Sequence, residues 1–201
     1  MHSPIFSLFA VSAFALGSVA CNCLNDETAK HVADNFATTF SDFSEEFVNS
    51  TYSIDFTDQT DSVGWLISNG TDCPHPLGSL TLASRREFLD AQATQPNLPF
   101  EIENVWHDCT NVFTRWRFAI QPQQVQGIAV LGTVCNEGEN KEQEPFLINH
   151  VFSEFNTGAF LVFQGDFVPT SSPACPANQK RSEGSGYLAA WTAFGHKLGL
   201  E

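Results

Sequence analysis

Phe100-Glu101-Ile102-Glu103-Asn104-Val105-Trp106-His107-Asp108 alternates apolar and polar side chains in the two-residue sense of a half-buried strand. The pattern returns in Val112 to Ile120, Gly127 to Val134, Phe146 to Phe155 and Ala159 to Val168, across turn-rich or charged gaps such as Asn136 to Glu144 and Asn156-Thr157-Gly158. Consecutive strands with connections this short form an antiparallel meander. Upstream of Phe100 the period changes. A helix is expected to start after Asn25 or Asp26 and run to roughly Ser41, with an apolar stripe of Ala29, Val32, Ala33, Phe36, Phe40 and Phe43. A short helical turn follows at Glu45 to Val48. Tyr52, Ile54 and Phe56 then alternate with polar residues as a strand, before an acidic turn at Asp58 to Asp61 and a returning strand at Val63 to Ile67. Gly70 to Gly78 reads as a loop that places His75 at the surface between two prolines. Ser84 caps a helix to about Ala93, closed by Pro96 and Pro99. Helices first and a sheet second is the α+β order.

The start of the chain bears on where the protein works. Ile5 to Ala20 carries no charged residue and ends in Ser18-Val19-Ala20, small residues at the −3 and −1 positions of a cleaved secretory signal. Residues 1–20 are therefore expected to be removed and the protein to be secreted and extracellular. Six cysteines, at 21, 23, 73, 109, 135 and 175, suit disulfides in an oxidising compartment. Metal ligation is not expected, because Cys21-x-Cys23 lacks the usual spacing and no second close pair completes a tetrahedral site. If Phe100 to Ile128 is a meander, Cys109 and Cys135 fall at the same end of neighbouring strands, which makes them the preferred bridge. Asn49-Ser50-Thr51 and Asn69-Gly70-Thr71 are acceptor sequons for glycosylation, and Lys180-Arg181 is a dibasic pair in Pro-, Ser- and Gly-rich surroundings, open to a processing protease or left uncut.

The formal net charge is −14, so the summed field repels nucleic acid and anionic membranes, and neither is an expected partner. Nineteen Phe and four Trp leave much apolar area to bury, and the length suits one domain with a proper core.

The helix from Glu27, the strand Tyr52-Ser53-Ile54-Asp55-Phe56, the helix Arg86-Glu87-Phe88-Leu89-Asp90-Ala91-Gln92 and the meander from Phe100 together resemble the NTF2-like superfamily, in the form carried by secreted fungal proteins. The resemblance covers about Asn25 to Val168 and rests on element order and sequence texture. It implies an α+β cone: a curved antiparallel sheet with the N-terminal helices packed on its concave face around an apolar pocket. The domains would then be a signal peptide over 1–20, an NTF2-like domain over 21–168 and, over 169–201, a flexible tail with a helical stretch near Tyr187 to Leu200. The superfamily includes ketosteroid isomerases, scytalone dehydratases and polyketide or terpenoid cyclases, as well as members without known chemistry, so the fold alone selects no function.

In such a cone, polar residues in phase with the apolar strand positions face the pocket. That rule selects His150, in phase with Phe146, Ile148 and Phe152, as general base, with Asp108 or Glu154 as its carboxylate neighbour. Tyr52 and Asn104 would donate hydrogen bonds to a developing enolate. Trp106, Trp116, Phe118 and Phe152 would line the pocket with them, while His107 would sit at the surface. Asp55 is out of phase with Tyr52, Ile54 and Phe56. Two readings follow. In the first, a secreted non-catalytic module holds a small apolar molecule or presents a glycosylated acidic surface. In the second, a cofactor-independent isomerase, dehydratase or cyclase acts on a natural-product intermediate through His150. Neither needs a metal or cofactor. If Phe160, Val162 and Val168 faced outward on the last strand, their apolar surface would also invite a homodimer.

Overall fold

Asn25 opens the first helix by a reciprocal cap: its side chain accepts from the Thr28 N–H at 2.9 Å, and Thr28 Oγ1 accepts the Asn25 N–H at 2.9 Å. The computed structural model describes residues 23–68, 76–120 and 123–166. In chain order they form α1 (Asp26–Ser41), α2 (Glu45–Thr51), β1 (Tyr52–Gln59), α3 (Asp61–Ser68), α4 (Arg85–Gln92), β2 (Phe100–His107), β3 (Asn111–Phe118), β4 (Val125–Cys135), β5 (Phe146–Phe155) and α5 (Thr157–Gln164). The signal stretch 1–20, the sequon at Asn69, Cys73, His75, Lys180-Arg181 and the tail over 169–201 lie outside the described residues.

The strands form one sheet in the order β1-β5-β4-β3-β2. β2 to β5 pair antiparallel with their neighbours, as a meander must, but β1 lies parallel to β5. The expectation of a cone built on a curved antiparallel sheet is thereby corrected: the sheet is mixed, open at β1 and β2, and not strongly curled. The whole meander separates β1 from β5, so no hairpin dictates the direction in which β1 joins that edge.

Two further expectations are corrected. Val63 to Ile67 belongs to helix α3 rather than a returning strand, and Glu154 accepts the Asp61 and Ser62 N–H groups of its first turn at 3.1 and 3.0 Å. The last expected strand is helix α5 over Thr157–Gln164. Asn156 caps it by accepting from the Ala159 N–H at 3.0 Å, and Gly165, in the left-handed region at φ +82°, ends it. Phe160 and Val162 therefore stand on a helix rather than on an outer strand face, and Val168 lies outside the described residues.

α1 packs on β2, β3 and β5, α4 on β1, α3 on β5 and α5 on β4. The main core lies beneath them, with Val32, Phe36, Tyr52, Phe56, Leu131 and Ile148 buried. Glu144, in the β4–β5 connection, takes bonds from His31 Nε2 at 2.8 Å and Asn35 Nδ2 at 2.7 Å and so ties that connection to α1.

Cys109 does not bridge to Cys135 as expected. It is bonded to Cys23, with a Cα–Cα separation of 4.2 Å, and Cys135 is also disulfide-bonded. The reason is the segment before α1, which runs beside the β2–β3 turn: the Leu24 N–H donates to the Cys109 carbonyl at 3.0 Å and brings Cys23 alongside.

Candidate functional site

Between the helices and the sheet lies a cavity of about 350 Å³, at the small end of the range for ligand pockets. Its wall is chiefly apolar and rich in aromatic rings. α1 contributes Phe36 and Phe40, β1 Tyr52 and Phe56, α4 Phe88, and the strands Phe100, Trp116, Phe118 and Phe155. The rings brace one another: Phe100 stacks on Trp116 with centroids 4.8 Å apart, and Tyr52 meets Phe56 edge to face at 5.0 Å.

Among the described residues one carboxyl group lines this wall, that of Asp58. The ladder explains its position. Cross-strand partners share a face, and Asp58 is paired with Val151, another cavity residue, while its neighbours Thr57 and Gln59 pair with His150 and Phe152 on the opposite face. The segment Thr81–Leu82 holds the strand end from the other side. The Asp58 N–H donates to the Leu82 carbonyl at 2.9 Å, and the Asp58 carbonyl accepts from the Thr81 and Leu82 N–H groups at 2.8 and 3.1 Å. Burial among apolar groups is the main force pushing the Asp58 carboxyl up to about 6. The Glu154 charge adds to this, and the bond from Thr60 Oγ1 to Asp58 Oδ1, at 2.5 Å, opposes it. A carboxyl poised there is mostly ionised at neutral pH yet basic enough to hold a proton in passing.

Tyr52, Trp116 and Phe118 line the cavity. Tyr52 is not free to assist an enolate: Thr39 Oγ1 donates to the Asn35 carbonyl at 3.0 Å, so the phenol, 3.1 Å away, donates to Thr39. Burial also pushes its pKa well up, so it stays protonated.

The other expected site residues are not in the cavity, and two bulges are the cause. Between β2 and β3 the register skips Glu103, after which Asn104 and Trp106 face outward, Trp106 being 57% exposed. Between β4 and β5 it skips Asn149, so the inward phase passes from Ile148 to Val151. His150 then lies on the outer face against Phe152, which is 45% exposed, and its ring covers Gly132. Asp108 occupies the β2–β3 turn, where it accepts from the Thr110 and Asn111 N–H groups at 2.8 and 2.7 Å. Those bonds hold its carboxyl below the usual range, so it is an ionised turn residue. His107 is off the site too, bonded to Asp26 at 3.1 Å.

Sequence reasoning passed over Asp58 and Gln92. Asp58 is in phase with Tyr52 and Phe56 once the strand is extended through it, and Gln92 follows Phe88 and Leu89 at the four- and three-residue spacings of one helix face.

Trp116, 3% exposed, owes its place to Gly127 across the ladder. A Cβ on Gly127 would lie 2.4 Å from Trp116 Cζ2 and 2.7 Å from the Glu154 carbonyl oxygen. Gly127→Ala is expected to cost about 1–3 kcal/mol and to move the indole. Urea unfolding and tryptophan emission together check this, and an unchanged midpoint with unchanged emission would contradict it.

Among the described residues no cluster of three or more His, Cys, Asp or Glu is arranged to hold a metal. A family described as "NTF2-like domain" matches residues 22–167. No curated protein matches the chain. Among solved structures, a candidate polyketide cyclase from Bacillus cereus ATCC 10987 aligns at 16% identity and TM-score 0.49, covering 72% of this chain and 87% of that one. A hypothetical protein with a ketosteroid isomerase-like fold from Catenulispora acidiphila DSM 44928, in complex with trimethylamine, aligns at 12% and 0.46, covering 69% and 97%. An NTF-2 like protein of unknown function from Burkholderia xenovorans LB400 aligns at 11% and 0.45, covering 65% and 84%.

Proposed function

We propose that this chain, which belongs to the NTF2-like domain family, binds a small apolar carbonyl compound in its cavity and moves a proton on it, with Asp58 as the proton carrier. The observation that supports this reading is the Asp58 carboxyl, raised to about 6 and the one carboxyl among the described residues of a wall rich in aromatic rings. The ionised Asp58 removes a proton from the carbon next to the carbonyl, and the electron pair moves onto the carbonyl oxygen as an enolate. Asp58, now protonated, returns the proton at another carbon or to a leaving hydroxyl. Isomerisation, dehydration and ring closure all share that first step. The aromatic wall positions the ring system and excludes water, and a base with a pKa near the working pH is the effective kind.

The test uses 2-tetralone in heavy water, with exchange of its α-protons followed by NMR above the uncatalysed rate. The rate constant at limiting substrate should climb with pH, inflect near 6 as Asp58 loses its proton, and level off above. A rate that shows no inflection in that region would remove Asp58 as the base.

A non-catalytic carrier would use the same aromatic wall but has no need of the raised carboxyl. We also propose that the protein acts after secretion. The Cys23–Cys109 disulfide suits an oxidising compartment, and Asn49 is exposed on α2, where a sugar would be solvated. Protein secreted by a eukaryotic host should lose mass on treatment with a glycan-releasing amidase, and Asn49→Gln should remove part or all of that loss. An identical mass before and after treatment would contradict glycosylation.

A further inference from the structure

We infer that Gln92 orients the ligand in the cavity, and that the ligand class it selects is a ring compound bearing a carbonyl, in preference to the matching carboxylate or hydrocarbon. The inference rests on the proton-transfer reading above, whose substrate it specifies.

The buried side-chain hydroxyls on the cavity wall are already committed to the protein, and Trp116 Nε1, which has no partner among the described residues, is fully enclosed and presents no surface to a ligand. The Tyr52 hydroxyl donates to Thr39, Thr60 Oγ1 to Asp58 Oδ1, and Ser153 Oγ to the Ile128 carbonyl at 3.2 Å. Gln92 differs. It lines the cavity from α4 and is 8% exposed, yet its side-chain amide finds no hydrogen-bond partner among the described residues. Its amide keeps surface open to the cavity, and a ligand that supplies the missing partner there gains a hydrogen bond on binding. The amide can donate to a carbonyl oxygen, which is also where charge collects when Asp58 removes the neighbouring proton. Gln92 is therefore a positioning residue for the reacting group as well as a selector.

The charge of the ligand follows from the same wall. No Lys, Arg or His lines the cavity among the described residues, while Asp58 does and Glu154 adds its field. A carboxylate would enter beside like charge with no counter-ion, which builds rejection of anions into the site. The small volume and the ring-lined wall suit a compact ring system.

A matched series tests this: tetralin, 2-tetralone and tetralin-2-carboxylate, titrated by calorimetry against the full protein and against Gln92→Met and Asp58→Asn. In the unmodified protein 2-tetralone should bind about tenfold tighter than tetralin, the gain from one hydrogen bond to a group otherwise unpaired, and the carboxylate weaker than either. Gln92→Met should erase the ketone preference while retaining tetralin binding at the same or higher affinity, which also shows that the cavity is intact. Asp58→Asn should keep the preference and lose proton exchange. A ketone preference that survives in Gln92→Met, or carboxylate binding as tight as that of the ketone, overturns the inference and leaves the proton-transfer reading standing. Failure of both tetralin and 2-tetralone to bind sinks that reading and this inference with it.

Discussion

Asp58→Asn should abolish proton exchange on 2-tetralone by about a hundred- to ten-thousand-fold while leaving the ketone bound, because it removes the base and keeps its shape. The same substitution should make the protein more stable at neutral pH. In the folded state the carboxyl is raised from 3.8 to about 6, chiefly by burial, so the folded protein binds this proton more tightly than the unfolded chain does. By linkage, stability falls as pH rises from about 4 to about 6, and the penalty persists above. A shift of this size corresponds to about 2–3 kcal/mol, which the neutral amide does not incur. Urea midpoints at pH 7.5 and pH 4 separate the two contributions: the variant should exceed the unmodified protein at pH 7.5, and the gap should close at pH 4. A variant that retains exchange would show that Asp58 is not the base, and a stability gap indifferent to pH would show that its carboxyl is not raised in the folded state. Activity gained at the cost of stability is the usual mark of a functional site.

Removing the Cys23–Cys109 bridge is expected to have the other large effect. The two cysteines are 86 residues apart in sequence, and the loop-entropy relation puts the stabilisation from closing a loop of that length at about 4–5 kcal/mol. Total domain stabilities are commonly about 5–15 kcal/mol, so the loss is a large share. It also has a local side. The bridge seats Leu24, a buried core residue, beside the β2–β3 turn that Asp108 caps, and α1 starts immediately afterwards. A Cys23→Ser/Cys109→Ser variant should lose most of its urea resistance, whereas a loss under about 1 kcal/mol would mean that Leu24 and the α1 cap hold this end without the bridge. Since α1 carries Phe36 and Phe40 into the cavity, 2-tetralone binding should weaken along with stability.

Much of the architecture was legible along the chain. Asn25 and Ser84 mark helix starts because a short polar side chain can satisfy first-turn N–H groups, and the structure puts both at caps. β2 to β5 follow the alternation of their side chains. The two helices read as strands, α3 and α5, are short apolar runs around Val63-Gly64-Trp65-Leu66 and Phe160-Leu161-Val162-Phe163, where nearly every position is apolar and no period distinguishes helix from strand. The site was less legible. Its aromatic wall could be read from Tyr52, Trp116 and Phe118, but His150, Asn104, Trp106 and Phe152 were assigned by carrying one phase along a whole strand.

By itself, then, the sequence determined the order of elements, the helix caps, the meander and the aromatic supply for an internal wall, because these depend on local side-chain chemistry and short-range periodicity. Tertiary structure alone decided which polar groups face the cavity. Skipping one residue at Glu103 and one at Asn149 reverses every side chain that follows, and a bulge is fixed by how two strands pair, not by either strand alone. It likewise decided that β1 joins β5 in parallel and that Thr81–Leu82 holds its far end, the two long-range pairings that carry Asp58 out of an apparent acidic turn and into the cavity.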